Sequence, residues 1–218
     1  MFTRRSDQPR IQIGFLTSLV LIGMAILPHG YAQQGAMPPG ESIASLRQRA
    51  ESGDPGAQTE ISYRYYQGQG VAQDYTEALR WIRKAADQGF APAQVGLGTI
   101  YSDGKAVARD YAEAVRLYRT AADQGFAAGQ TSLGFMYEQG FGVTQDYTEA
   151  ARWYRKAADQ GNDTAQFRLG GAYSDGRGVT RDDAEAARWL QRAAAQGNPA
   201  AQYFLAICYA GGTRFGRC

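Results

Sequence analysis

Apolar and small residues return along this chain with a period of 36. Tyr65, Tyr101, Tyr137, Tyr173 and Tyr209 share one phase, and Gln58, Gln94, Gln130, Gln166 and Gln202 share another. Ala78, Ala114, Ala150 and Ala186 hold a third, and Gly89, Gly125, Gly161 and Gly197 a fourth. Tyr75, Tyr111 and Tyr147 also keep step, with Asp183 in the fourth place. A fixed period of this size marks a stacked array, in which each unit buries its apolar face only against its neighbours. Inside one period the spacing is helical. Leu97, Ile100 and Tyr101 lie three and four residues apart, and the stripe stops at Gly104, where glycine can take the left-handed conformation that closes a helix. Asp110 then opens a second helix, with Glu113 three residues on, and the pair recurs as Asp74/Glu77, Asp146/Glu149 and Asp182/Glu185. Ala114, Leu117, Tyr118 and Ala121 form that helix's apolar face, which ends at Gly125. Small residues such as Ala78 and Ala85 let helix axes approach, while Trp81, Trp153 and Trp189 fill the space beside them. The pattern predicts an all-α chain, a right-handed α/α solenoid of antiparallel helix pairs by analogy with other arrays of this type.

The N-terminus is a different object. Arg4, Arg5 and Arg10 precede an apolar run from Ile11 to Leu27, and Gly30-Tyr31-Ala32 offers small residues at the −3 and −1 places of a signal-peptidase site. Residues 1–32 are therefore expected to be a signal peptide and 33–41 a flexible lead, with an uncleaved anchor as the alternative reading. Removing the leader leaves 20 Lys+Arg and 20 Asp+Glu, so the mature chain carries no charge excess to attract nucleic acid or an anionic membrane. The expected destination is the periplasm, or secretion from it.

Composition also weighs against catalysis. The one histidine, His29, lies in the leader, which removes the usual general base and the commonest metal ligand. Cys208 and Cys218 are too few for a thiolate metal site. Ser102-Asp-Gly-Lys105 has the Ser-x-x-Lys spacing of penicillin-recognising enzymes, but its equivalents Glu138–Phe141 and Ser174–Arg177 show that it is the helix-ending loop of every unit. The recurrent glutamates sit three residues before Arg80, Arg116, Arg152 and Arg188, as surface ion pairs. No catalytic residue, cofactor or metal is expected.

The motif Ala-x-x-x-Leu-Gly-x-x-Tyr-x-x-Gly, followed by Val-x-x-Asp-Tyr-x-x-Ala-x-x-Trp-x-x-Lys-Ala-Ala-x-Gln-Gly, resembles the Sel-1-like repeat (SLR) family. Tetratricopeptide relatives share Leu-Gly-x-x-Tyr, but their unit is about 34 residues with a tighter turn. The resemblance covers a capping helix in 42–54 and an array over 55–212, with units 55–90, 91–126, 127–162 and 163–198, a partial unit 199–212 and a tail 213–218. It implies a non-catalytic scaffold or adaptor of the cell envelope whose partners are proteins. A small-ligand or β-lactamase-like role, as in cysteine-rich helical relatives, is the alternative. That subgroup has a disulfide in each repeat, and the matching places here hold Ala86 and Gln94.

In similar arrays the first helix of each pair lines the concave face, so positions that vary there are free to read a partner. Thr59, Val95, Thr131, Phe167 and Tyr203 share one such place, and Tyr63, Thr99, Phe135, Gly171 and Ile207 another. With neighbouring charges, the candidate partner-binding set is Tyr63, Arg64, Tyr66, Val95, Phe135, Glu138, Phe167, Arg168 and Tyr203. The alternative is that the aromatics simply extend the core between units.

Two expectations can be checked directly. N-terminal sequencing of protein from the native host should begin near Gln33; an intact Met1 in a membrane pellet would contradict export with cleavage. Cys208 and Cys218 are expected to close a loop of about ten residues over the open end of the array, contributing on the order of 2–3 kcal/mol. Thiol titration under denaturing, non-reducing conditions should then find no free thiol. Two free thiols rule the bridge out, and a covalent dimer means that the cysteines join two protomers.

Overall fold

The computed structural model describes residues 42–210, and among them there are ten helices and no strand. The leader, the lead, the tail, Cys218 and the Cys208 side chain lie outside the described residues. Helix α1 (Ile43–Glu51) is followed by four helix pairs: α2 (Pro55–Gln67) with α3 (Tyr75–Asp87), α4 (Ala91–Asp103) with α5 (Tyr111–Asp123), α6 (Ala127–Gln139) with α7 (Tyr147–Asp159), and α8 (Asp163–Asp175) with α9 (Asp183–Ala195). Helix α10 (Pro199–Ala210) follows without a second helix among the described residues. Each helix packs on the next in the chain, so the core is a series of inter-unit clusters, as a solenoid requires.

The recurring residues explain how the pairs form. Asp74, Asp146 and Asp182 each accept two backbone N–H bonds in the first turn of their helix, and Asp110 accepts one. Each such cap is worth about 1 kcal/mol. The N–H of each of these aspartates donates back to the carbonyl of Tyr65, Tyr101, Tyr137 or Tyr173 at 2.9–3.1 Å, which pins the start of the second helix to the end of the first. The same tyrosines use their hydroxyls to hold the stack, accepting from Arg47, Arg83, Arg119 and Arg155 of the preceding helix. Tyrosine recurs because one residue holds both the turn and the stack.

The Leu-Gly step sets the spacing within a pair. A Cβ at Gly98 would stand 2.7 Å from the Tyr118 ring, and one at Gly134 2.8 Å from the Tyr154 ring. In the first unit Ser62 takes this place, and its Oγ donates to the Ala78 carbonyl at 2.6 Å.

A buried glutamine ladder joins the units. Gln58, Gln94, Gln130 and Gln166 each accept, at 2.7–2.8 Å, from the glutamine that ends the second helix of the same unit. Gln58, Gln130 and Gln166 also donate to a carbonyl near the end of the preceding helix, at 3.0–3.4 Å. Gln202 continues the pattern only in part: it donates to Ala194 at 3.2 Å but is exposed. Stranding buried partners costs about 1–3 kcal/mol. Gln130→Ala should therefore lower the unfolding free energy by that amount in a denaturant titration, and Gln202→Ala by less than half as much. Equal losses would show that the ladder does not carry the inter-unit contact.

Candidate functional site

The face of the first helices holds two polar-aromatic clusters, one at each unit boundary where the repeat pattern breaks. Between the first and second units Tyr66 donates from its hydroxyl to Asp103 at 2.6 Å and packs edge-on against Tyr75, the ring centroids 5.1 Å apart. The Lys105 ammonium lies 5.8 Å from the Tyr66 ring centroid. Burial, then the bond to Asp103, raises the Tyr66 phenol above its ordinary value, so it stays protonated as a donor.

The central cluster lies between the third and fourth units. The Glu138 carboxylate accepts from the Tyr154 hydroxyl at 2.5 Å and faces the Arg168 guanidinium at 3.4 Å. Arg168 also lies over the Phe135 ring, 5.1 Å from its centroid. Phe135 meets Phe141 edge-on at 6.2 Å, and Phe141 stacks on Tyr111 at 4.8 Å with only 9° between the ring planes. Four aromatic rings and one ion pair thus run from the first-helix face to the edge of the stack. Burial, reinforced by Glu138, pushes the Tyr154 phenol well up. The side chains of Arg168 and Glu138 are only 19% and 12% exposed, so the pair is mostly out of water. A contact of 3.4 Å is too long to contribute much net stability. What it supplies is a fixed dipole beside an aromatic surface.

The predicted residues fall into three groups. Phe135, Glu138 and Arg168 meet in the central cluster, and Tyr66 forms the other cluster. Tyr63 is half-buried near the N-terminal end, and Arg64 binds Glu60 at 2.9 Å on the same helix. The remaining aromatics and Val95 separate by burial. Val95 is 2% exposed and packs with Tyr118, Leu133 and Trp153, so it offers no surface to a partner. Phe167 is half-buried against Leu190, Ala193, Ala201 and Leu205, and Tyr203 is 71% exposed on α10. Sequence reading missed Asp103, Lys105, Tyr111, Phe141 and Tyr154. Phe141 carried a usable signal, because its place holds Gln69, Lys105 and Arg177 in the other units. Among the described residues no three His, Cys, Asp or Glu side chains come together in a way that could hold a metal ion.

This geometry can be set beside known proteins. The crystal structure of a protective antigen of uropathogenic Escherichia coli, displaying an SLR fold, is 44% identical with a TM-score of 0.72, over 79% of this chain and 37% of that one. A Sel1 repeat protein from Oxalobacter formigenes is 37% identical with a TM-score of 0.65, over 75% of this chain and 48% of that one. The secretory immunoglobulin A-binding protein EsiB of Escherichia coli O6:H1 is 45% identical over 40 residues, 18% of this chain and 8% of EsiB. This chain spans less than half the length of each of these relatives. A family model described as Sel1 repeat matches residues 55–90, 91–126, 127–162, 163–198 and 199–217, and on that match, which runs through the whole array, the chain belongs to the Sel1 repeat family.

Proposed function

We propose that this chain is an exported, non-catalytic protein-interaction scaffold that binds a polypeptide along the face of its first helices. Sel1 repeat proteins are generally interaction scaffolds, which sets the broad class. The observation that carries the finer reading is the central cluster, where Phe135, Phe141, Glu138 and Arg168 interrupt a pattern that is otherwise repeated for the sake of the stack. Aromatic rings beside a prearranged ion pair suit a peptide segment that presents an apolar anchor and a neighbouring polar group. Tyr63, Arg64, Tyr66, Phe167 and Tyr203 extend the same face towards its two ends.

Export is supported by the leader sequence and by the character of two relatives, one an immunoglobulin-binding protein and one a protective antigen. The match to EsiB is about one repeat long, so it transfers the repeat and not the antibody as a ligand. No helix among the described residues is long and apolar enough to cross a membrane.

The test is differential capture from an envelope extract of the native host by the mature chain and its variants. Phe135→Ala combined with Phe141→Ala should reduce recovery of the specific partner at least tenfold while helicity is kept. Arg116→Ala, on the exposed side of α5, should leave recovery unchanged. If the double variant captures the same proteins in the same amounts, this face is not the binding surface.

A further inference from the structure

Four loops join the two helices of each pair, and two of them carry a pair of cations. In the second unit these are Lys105 and Arg109, and in the fourth Arg177 and Arg181. The first and third units hold Gln69 with Gln73 and Phe141 with Gln145 at the same places. All four cations are exposed. The fold does not need charge here. Gln73 and Gln145 donate back to the carbonyls of Tyr66 and Glu138 at 2.9 and 2.8 Å, and Arg109 braces its loop in the same way on the Asp103 carbonyl at 3.3 Å. Glutamine is enough to hold the loop.

The two basic loops differ in what answers their charge. In the fourth unit Arg177 meets Asp175 at 3.5 Å and Arg181 meets Asp183 at 2.9 Å, so both cations have a carboxylate of their own. In the second unit neither acid does this. The equivalent of Asp175 is Asp103, whose carboxylate accepts from the Tyr66 hydroxyl at 2.6 Å. The equivalent of Asp183 is Tyr111, which brings no carboxylate. The remaining acid of the loop, Asp110, faces the start of α5 and accepts from the Glu113 N–H at 3.0 Å, where the helix dipole favours negative charge. No carboxylate among the described residues lies within ion-pair distance of Lys105 or Arg109. They lie against aromatic rings instead: Lys105 stands 5.8 Å from the Tyr66 centroid and Arg109 5.7 Å from the Tyr111 centroid. Tyr111 is also the ring on which Phe141 stacks, so Arg109 borders the outer end of the aromatic run that starts at Phe135.

We propose that Lys105 and Arg109 receive two carboxylates of an acidic polypeptide segment whose apolar side chain lies on the run formed by Phe135, Phe141 and Tyr111. This rests on the reading of the first-helix face as a polypeptide-binding surface, and it adds the sign of the partner's charge. Arginine takes a carboxylate through two parallel N–H bonds, and lysine takes one as a point charge. Each cation is already held against a ring, which reduces the side-chain freedom lost on binding. A basic segment is repelled at the same place, so the two residues select as well as attract.

The probes are random peptides displayed on phage, selected against the full chain purified from its native host. Recovered peptides should be enriched in paired Asp or Glu beside a leucine or an aromatic residue. The most enriched peptide, synthesised with a fluorescent label, should bind one to one in an anisotropy titration. Lys105→Gln combined with Arg109→Gln installs the residues that the first unit carries. It should weaken binding roughly tenfold with an unchanged melting temperature, whereas Arg177→Gln combined with Arg181→Gln should change it by less than about twofold. Selection of uncharged or basic peptides, or indifference to the first double variant, overturns the proposal. If Phe135→Ala with Phe141→Ala still abolishes binding of those peptides, the polypeptide-binding face stands and only the acidic partner is lost. Peptides that respond to neither pair of substitutions remove both. Competition by phosphatidylglycerol vesicles as effective as that by the unlabelled peptide would give the cations to an anionic surface and also overturn the proposal.

Discussion

Two helices can pack at this distance only where one of them carries almost no side chain, and the rest of the architecture follows from that approach. Gly98 and Gly134 put the backbone of a first helix directly on the ring of Tyr118 or Tyr154. The ring then fills the volume that a Cβ would have taken and brings its hydroxyl deep into the pair. Glycine inside a helix costs about 0.5–1 kcal/mol relative to alanine, a loss offset by burial of the aromatic ring. Once the distance is fixed, the glutamines at the pair ends are within reach of each other, at 2.7–2.8 Å in all four units. The first unit, with Ser62 in the glycine's place, keeps the same bond, so the ladder needs a small residue at this step rather than glycine itself.

The buried tyrosines create a second requirement, because a hydroxyl inside the pair needs a partner. Tyr118 finds Thr99 and Ser102, both at 3.3 Å, and Tyr154 finds Glu138. In the first and fourth units, where Ile82 and Leu190 have no hydroxyl, the same place on the first helix holds Tyr66 and Ser174. Part of the variation along this face is thus compensation between two helices of one unit. Glu138 serves two masters: it satisfies Tyr154 and it anchors Arg168 above Phe135.

This explains what could be read in the sequence and what could not. The period, the helix pairs, the aspartate caps and the glycine terminators are local or strictly repeated, and the structure has them where the sequence puts them. The site was legible only in part, since variation marks two different things. At the place of Thr59, Val95 and Thr131 the residue is buried, so its variation reflects volume matching in the core. Phe167 is half-buried in a cluster with Leu190 and Leu205, while Tyr203 at the same place is exposed. Aligning the units identifies such a position but not its depth. Depth depends on the neighbouring unit, which differs at each end of the array. Phe141 escaped notice for a related reason: it lies in a loop, and its partners Tyr111 and Phe135 come from another unit and another helix.

The same reasoning separates stability from recognition along the stack. The outer ion pairs, such as Arg116 with Glu113 at 2.6 Å, repeat in every unit on exposed side chains and are worth little individually. Glu113 is held below its ordinary value first by the hydrogen bond from Arg116, so it stays ionised and the outer face remains charge-balanced at neutral pH. The Glu138–Arg168 pair occurs once and is mostly shielded from water. Its field is screened far less by salt than that of the outer pairs. A partner that reads charge on this protein would therefore feel the central cluster at ionic strengths that silence the outer face, and its binding would weaken only modestly as salt is raised.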